Sequence, residues 1–182
     1  RAPSKNGRPC VQGGSRTFFA YDLIHALGQK RRVEVMPNFG HTIVGQGVDD
    51  KGSRSWRALP MWVIDYDYSL SSRWSIGIHS DLIMESFKVE GYFLEPENTA
   101  IERHYPVAGL AAASFKPGRH SIYSIGMGGE FSDTGNYYMT RLGFEYGFEL
   151  PGDWELAPSL TYDIKWKAYD SFSISLAVGK KF

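Results

Sequence analysis

The sequence predicts an all-β chain closed into an eight-stranded antiparallel up-and-down barrel, and three observations carry that expectation. From Arg32 onward, apolar and polar residues alternate with period two, which marks strands whose two faces meet different surroundings. Tight turns alternate with longer loops, as hairpin-connected strands require. The apolar face also carries more large rings than the interior of so narrow a barrel can hold, so that face is expected to point outward, into a membrane.

The strands are expected at about 31–44, 56–69, 73–87, 104–116, 120–132, 136–150, 154–168 and 171–182. The seventh is the clearest: Trp154, Leu156, Pro158, Leu160, Tyr162, Ile164 and Trp166 share one face, and Glu155, Ala157, Ser159, Thr161, Asp163, Lys165 and Lys167 the other. The sixth sets Tyr138, Leu142, Phe144, Tyr146 and Phe148 against Arg141, Gly143, Glu145 and Glu149, and the eighth sets Phe172, Ile174, Leu176, Val178 and Phe182 against a serine-rich face. Pro37, Pro60, Pro106 and Pro158 fall inside these spans; with no N–H to donate, each is expected to mark a bulge or a break. Ser69–Ser72, Lys116–Arg119 and Pro151–Asp153 read as tight turns, while Gly45–Ser55, Lys88–Arg103 and Ser132–Asn136 read as longer loops. Short turns on one rim and loops on the other are the pattern of membrane barrels, and eight strands return both termini to the turn rim.

Composition narrows the alternatives. Lys plus Arg and Asp plus Glu number 20 each, for a net charge of zero, so the basic excess typical of nucleic-acid binders is missing. The lone cysteine, Cys10, excludes an intramolecular disulfide. No apolar run approaches the roughly 18 residues of a spanning helix; the best is Val107–Ala113. A membrane strand needs only about 9–11 residues, half of them apolar. Residues 1–29 are read as an N-terminal extension or a damaged leader and 30–182 as the barrel. Ala26-Leu27-Gly28 before Gln29 has the form of a signal-peptidase site, whereas Asp22 and His25 interrupt the preceding apolar stretch.

Ring positions give the orientation. Tyr68, Trp74, Phe148, Trp154 and Phe182 are expected at the turn rim, and Trp56, Tyr138, Trp166 and Phe172, with Phe131, at the loop rim. Ile76, Ile78, Leu82, Ile125, Leu142, Leu160 and Leu176 fall between, and two aromatic girdles around an aliphatic band are what a spanning barrel shows. The competing reading is a soluble β-sandwich or barrel with those rings in its core.

Residues 31–182 resemble the small eight-stranded outer-membrane barrel proteins. Four segments resemble outer-membrane barrels of Bacteroidota: Leu59-Pro60-Met61-Trp62, Arg141-Leu142-Gly143-Phe144-Glu145-Tyr146-Gly147, Leu160-Thr161-Tyr162-Asp163-Ile164-Lys165-Trp166 and Val178-Gly179-Lys180-Lys181-Phe182. The resemblance implies residence in the outer membrane among its lipids, short turns toward the periplasm, and a terminal aromatic read by the barrel-assembly machinery. It implies no activity.

The inward face supplies the candidate site. Asp65, Asp67, His79, Asp81, Glu85, Glu130, Arg141, Glu145, Glu149, Asp163, Lys165 and Lys167, with Glu34, are expected to face the lumen as a salt-bridge network, because buried charges must be paired. Their acidic excess keeps a narrow cation-preferring pore as an alternative. His79, Asp81 and Glu85 share a strand face without the second His or Cys a metal site would favour, so no metal and no cofactor are assigned. Lipid A modification would need a nucleophile and base near one rim. His41, Glu85, Ser86, His104 and Ser173 are the candidates by depth, but the His-x-Ser-Asn element of the deacylases is lacking and no catalytic residue is assigned. Tyr92, Phe93 and Leu94 on the loop Lys88–Asn98 are a possible contact for a protein partner. The expectation is a monomer with a closed polar lumen, structural or partner-binding through its loops.

Overall fold

The computed structural model describes residues 33–48, 54–91, 100–152 and 154–180. Eleven strands form one sheet: β1 (Val33–Val48), β2 (Arg54–Ser69), β3 (Trp74–Ile83), β4 (Phe87–Glu90), β5 (Ala100–Arg103), β6 (Val107–Phe115), β7 (Ser121–Ser132), β8 (Gly135–Tyr146), β9 (Phe148–Leu150), β10 (Trp154–Lys165) and β11 (Asp170–Lys180). The wall runs β1-β2-β3-β6-β7-β8-β10-β11, all antiparallel, and closes where β11 pairs with β1 from Asn38↔Ala177 to Val44↔Ser171. β9 continues the line of β8 along β10. The chain is therefore an eight-stranded closed barrel, and closure leaves no wall strand with an unpaired edge.

The prolines sit where ladders end. Pairing of β1 to β11 stops at Asn38, next to Pro37, and pairing of β2 to β3 stops at Met61, next to Pro60. β10 pairs with β8 from Ser159 onward and with β9 up to Leu156; Pro158 lies in that gap and separates β8 from β9. Pro106 lies between β5 and β6. Among the described residues, the register shift between β1 and β2 falls elsewhere, between Val44 and Gly47.

At the turn rim Gly152 adopts φ +80°, a conformation that costs glycine little. At the loop rim β3 gives way at Ile83, and β4 with β5 forms a hairpin that leaves the wall. Sequence reading placed these eight residues in a loop or at a strand end. β4 pairs with the top of β1 through Gly47↔Val89 and Val48↔Lys88, so the hairpin leans back across the mouth.

Alternation then sorts the side chains. Val35, Ile64, Ile76, Ile78, Ile125, Leu142, Leu160 and Leu176 are exposed on the outer face, with Trp74, Phe148 and Trp154 toward the turns and Trp56, Tyr138, Trp166 and Phe172 toward the loops. Tyr68 is half-buried near the turn rim. Phe182, the N-terminal segment 1–29 and the loop residues Tyr92, Phe93 and Leu94 lie outside the described residues.

Candidate functional site: the lumen and its cap

Eight strands leave an interior just wide enough for side chains, so charges there must meet. Arg141 on β8 donates from Nε to Asp163 Oδ1 at 2.6 Å and from Nη2 to Asp163 Oδ2 at 2.8 Å. Across the lumen it donates from Nη1 to Asp81 Oδ1 on β3 at 3.0 Å, and Nη2 also meets Asp81 Oδ2. β8 and β3 are separated by two intervening wall strands, so one guanidinium bridges the barrel and engages both carboxylates in forked pairs. All three side chains are buried.

A second layer stands on the loop side of this bridge. Glu130 accepts from Arg103 Nε at 2.9 Å and from the Tyr169 hydroxyl at 2.8 Å. Lys165 Nζ lies 3.7 Å from both Glu130 and Asp163, donates to Ser171 Oγ and stands 4.7 Å from the centre of the Tyr169 ring. The layers enclose a cavity of about 10 Å³ lined by Asp81, Glu130, Asp163, Lys165 and Ser173 among others, space for roughly one water molecule.

Above the charges the lumen is apolar. Phe87 and Val89 of β4 point into the mouth and pack with Val44, Leu59, Met61, Val63, Ile83, Ala168 and Tyr169; the Phe87 and Tyr169 rings meet edge-on at 5.9 Å. The opposite side of the hairpin is tied to the β7–β8 turn. Arg103 donates from Nη1 to the Gly135 carbonyl at 2.7 Å, Ser132 Oγ accepts from the His104 amide at 3.1 Å, and Thr134 donates to the Glu102 carbonyl. The hairpin thus spans the mouth from β1 to β7–β8.

Toward the turn rim the interior is acidic. Asn38 donates to Asp65 at 2.8 Å, and His79 lies 3.6 Å from Asp65 and 3.4 Å from Asp67. Gly77 makes room for this group: a Cβ there would come 2.5 Å from Asp67 Oδ1. Glu145 is half-buried in the same half.

Of the lumen residues expected from sequence, Asp81, Glu130, Arg141, Asp163 and Lys165 form the two central layers, while Asp65, Asp67, His79 and Glu145 belong to the turn-rim half. Two need correction. Glu85 is exposed because β3 ends at Ile83, before the alternation reaches it. Lys167 is exposed because β10 ends at Lys165 and the turn takes Lys167 to φ +61°. Glu149 keeps the inward face, directly opposite the buried Glu155, and like Glu34 opposite Asp67 it is exposed because the wall ends there. His79, Asp81 and Glu85 consequently do not meet, and among the described residues no three His, Cys, Asp or Glu side chains are arranged to hold a metal ion. The enzyme candidates are also dispersed: Ser173 is buried in the lumen, His41, Glu85 and Ser86 are exposed, and both ring nitrogens of His104 face carboxylates.

Sequence reading missed Arg103, Tyr169 and Asn38, all buried; Glu155, placed on the inward face of its strand, is buried as well. The run Phe87-Lys88-Val89-Glu90 alternates apolar and charged residues and could have revealed the hairpin, and through it Arg103.

Outside the wall, His104 Nδ1 lies 3.2 Å from Asp133 and Nε2 3.5 Å from Glu102, which also lies 3.6 Å from Lys88. The hydrogen bond to Asp133, then that to Glu102, holds the imidazolium above its ordinary pKa, and His104 holds Asp133 below its ordinary value. A raised histidine contributes at acid pH and loses its contribution as pH rises through the folded value; a depressed carboxyl loses its contribution as pH falls through its own. The pairing of His104 with Asp133, which latches the hairpin to the β7–β8 turn, is therefore strongest between the two. Amide protection factors over 102–105 should fall as pH rises past the raised His104 value and stay flat there in His104→Gln; matching profiles would remove His104 from the latch.

No protein-family model matches the chain, and no curated protein matches it. Solved structures do resemble it. Neisserial surface protein A is 12% identical with a TM-score of 0.50, covering 85% of this chain and 100% of that one. Ail, the attachment invasion locus protein of Yersinia pestis, is 13% identical with a TM-score of 0.46, covering 81% and 97% respectively. The outer membrane protein AlkL is 10% identical with a TM-score of 0.47, covering 97% and 94%. At such identities the likeness is one of fold, carried here by neisserial surface protein A: the chain has the closed eight-stranded architecture found among small outer-membrane barrels.

Proposed function

We propose that this protein is a monomeric, non-enzymatic integral outer-membrane barrel with a sealed lumen, acting through its loop rim as an envelope component or as the receptor for a protein partner. The observation that carries the reading is the Arg141 bridge between Asp81 and Asp163 beneath the Phe87–Val89 cap. An ion crossing the barrel would have to break forked, buried ion pairs and displace an apolar plug, and either step strips partners from desolvated groups. The exposed aliphatic belt supports residence in lipid, because water would leave an apolar patch of that size uncovered. Insertion by the barrel-assembly machinery and the Bacteroidota-like wording of four segments belong to the same reading. Arg103 and His104 fix the hairpin on the outward side, which makes the loop rim the preformed surface for a partner.

The competing cation-preferring pore draws support only from the acidic turn-rim half around Asp65, Asp67 and Glu145. Single-channel recording from the protein refolded into planar bilayers separates the two. A sealed barrel gives no conductance steps; reproducible cation-selective steps from the unmodified chain would replace this reading with the pore.

A further inference from the structure

The turn rim carries a second chemistry, on its outer side. Arg73 ends the β2–β3 turn and Lys116 begins the β6–β7 turn, and the Lys116 amide donates to the Arg73 carbonyl at 2.8 Å. Their neighbours Trp74 and Phe115 are cross-strand partners with ring centroids 4.8 Å apart. Arg119 lies three residues further along the same turn. Arg73 and Arg119 are exposed and Lys116 is half-buried. Among the described residues, no carboxylate pairs with any of the three. Two cations set opposite each other across a ladder repel, and three on adjoining turns over an aromatic pair make a positive concentration that lacks its anion. Of the described acidic residues toward this rim, Asp67, Glu145 and Glu155 are drawn inside the barrel, while Glu34 and Glu149 are exposed.

We propose that Arg73, Lys116 and Arg119 form a binding site for the phosphate of an anionic phospholipid, with Trp74 and Phe115 against the upper acyl chain. The site rests on the outer-membrane reading, which puts the turn rim in the phospholipid leaflet facing the periplasm. Lys and Arg stems lie along apolar surface while their heads reach the headgroup layer, and indole rings favour the same depth. Each such cation near an anionic membrane surface is worth about fivefold in association; a zwitterionic lipid offers the same phosphate beside its own ammonium and recovers part of that gain, so a net preference on the order of tenfold for the anionic lipid is expected when two or three cations engage one phosphate.

Trp74 reports on the site directly. The full chain, carrying Phe at the other four tryptophans, is refolded into phosphatidylcholine vesicles doped with brominated phosphatidylglycerol or, separately, with brominated phosphatidylcholine. A second version keeps only Trp166, at the far rim. Trp74 should be quenched about tenfold more effectively by the anionic lipid, Trp166 equally by both, and Arg73→Gln/Lys116→Gln/Arg119→Gln should make Trp74 indifferent while leaving quenching by phosphatidylcholine intact. Equal quenching of Trp74 by the two lipids in the parent overturns the site but leaves the membrane reading standing. Absence of quenching at both tryptophans overturns both. Native mass spectrometry of the unmodified chain from mixed micelles gives the same comparison without tryptophan replacement: retained phosphatidylglycerol lost in the triple variant supports the site, and equal retention of both lipids refutes it.

Discussion

Arg141→Ala is expected to destabilise the barrel by about 3–5 kcal/mol, because it leaves desolvated carboxylates without their counter-charge. Asp163 keeps Lys165 at 3.7 Å, so the heavier loss falls on Asp81, which is buried and accepts from Arg141 at both of its carboxylate oxygens. The urea midpoint for unfolding from detergent micelles or vesicles reads the effect. Arg141→Lys keeps the charge but cannot make two forks at once, and should lie between parent and alanine variant. Replacing the whole group, Arg141→Met/Asp81→Leu/Asp163→Leu, removes the charges together and should recover most of the loss, since apolar packing of similar volume commonly matches a buried ion pair. A single variant as stable as the parent would mean that the bridge contributes little to holding the lumen shut.

Leu160→Arg should cost about 2–4 kcal/mol in vesicles. Leu160 lies mid-strand on β10, between Phe144 of β8 and Ile174 of β11, with its side chain on the exposed outer face. On a water-facing surface such a change is worth little, commonly within about 0.5 kcal/mol. A charge at the depth of the hydrocarbon centre has to be hydrated or to snorkel. The same substitution at Tyr138, at the loop rim and 81% exposed, should be much milder because the cost falls toward the interface. Equal effects at the two positions would argue that the outer face does not see a gradient of polarity.

Much of this molecule is legible from period two alone. On β10, Trp154, Leu160 and Ile164 are exposed while Glu155, Ala157, Asp163 and Lys165 are buried, as alternation requires once the rings are too large for the interior. Alternation fails where strands stop, because it has no term for an ending. Extended past Ile83 and Lys165, it placed Glu85 and Lys167 in the lumen, although the chain turns away at both points. The cap was hidden for a related reason. β4 and β5 span four residues each, too few for a periodic signal, and they gain stability only from contacts distant in sequence such as Arg103 with Glu130 and Val89 with β1. The apolar upper lumen followed suit: Val44, Leu59, Met61, Val63 and Ile83 occupy inward positions that a polar interior would not use, and they make sense only beneath Phe87.

The direction in which the rings point is tested most directly by a nitroxide scan along β10. Single cysteines from Trp154 to Lys165, on a Cys10→Ser background, are spin-labelled in vesicles and probed with oxygen and with a water-soluble nickel complex. Labels at 154, 160 and 164 should collide readily with oxygen and little with nickel, deepest at 160, while those at 155, 157, 163 and 165 should be immobile and shielded from both. Nickel access at 160 equal to that of a surface loop, or oxygen access without the two-residue period, would contradict a barrel whose outer face lies in hydrocarbon.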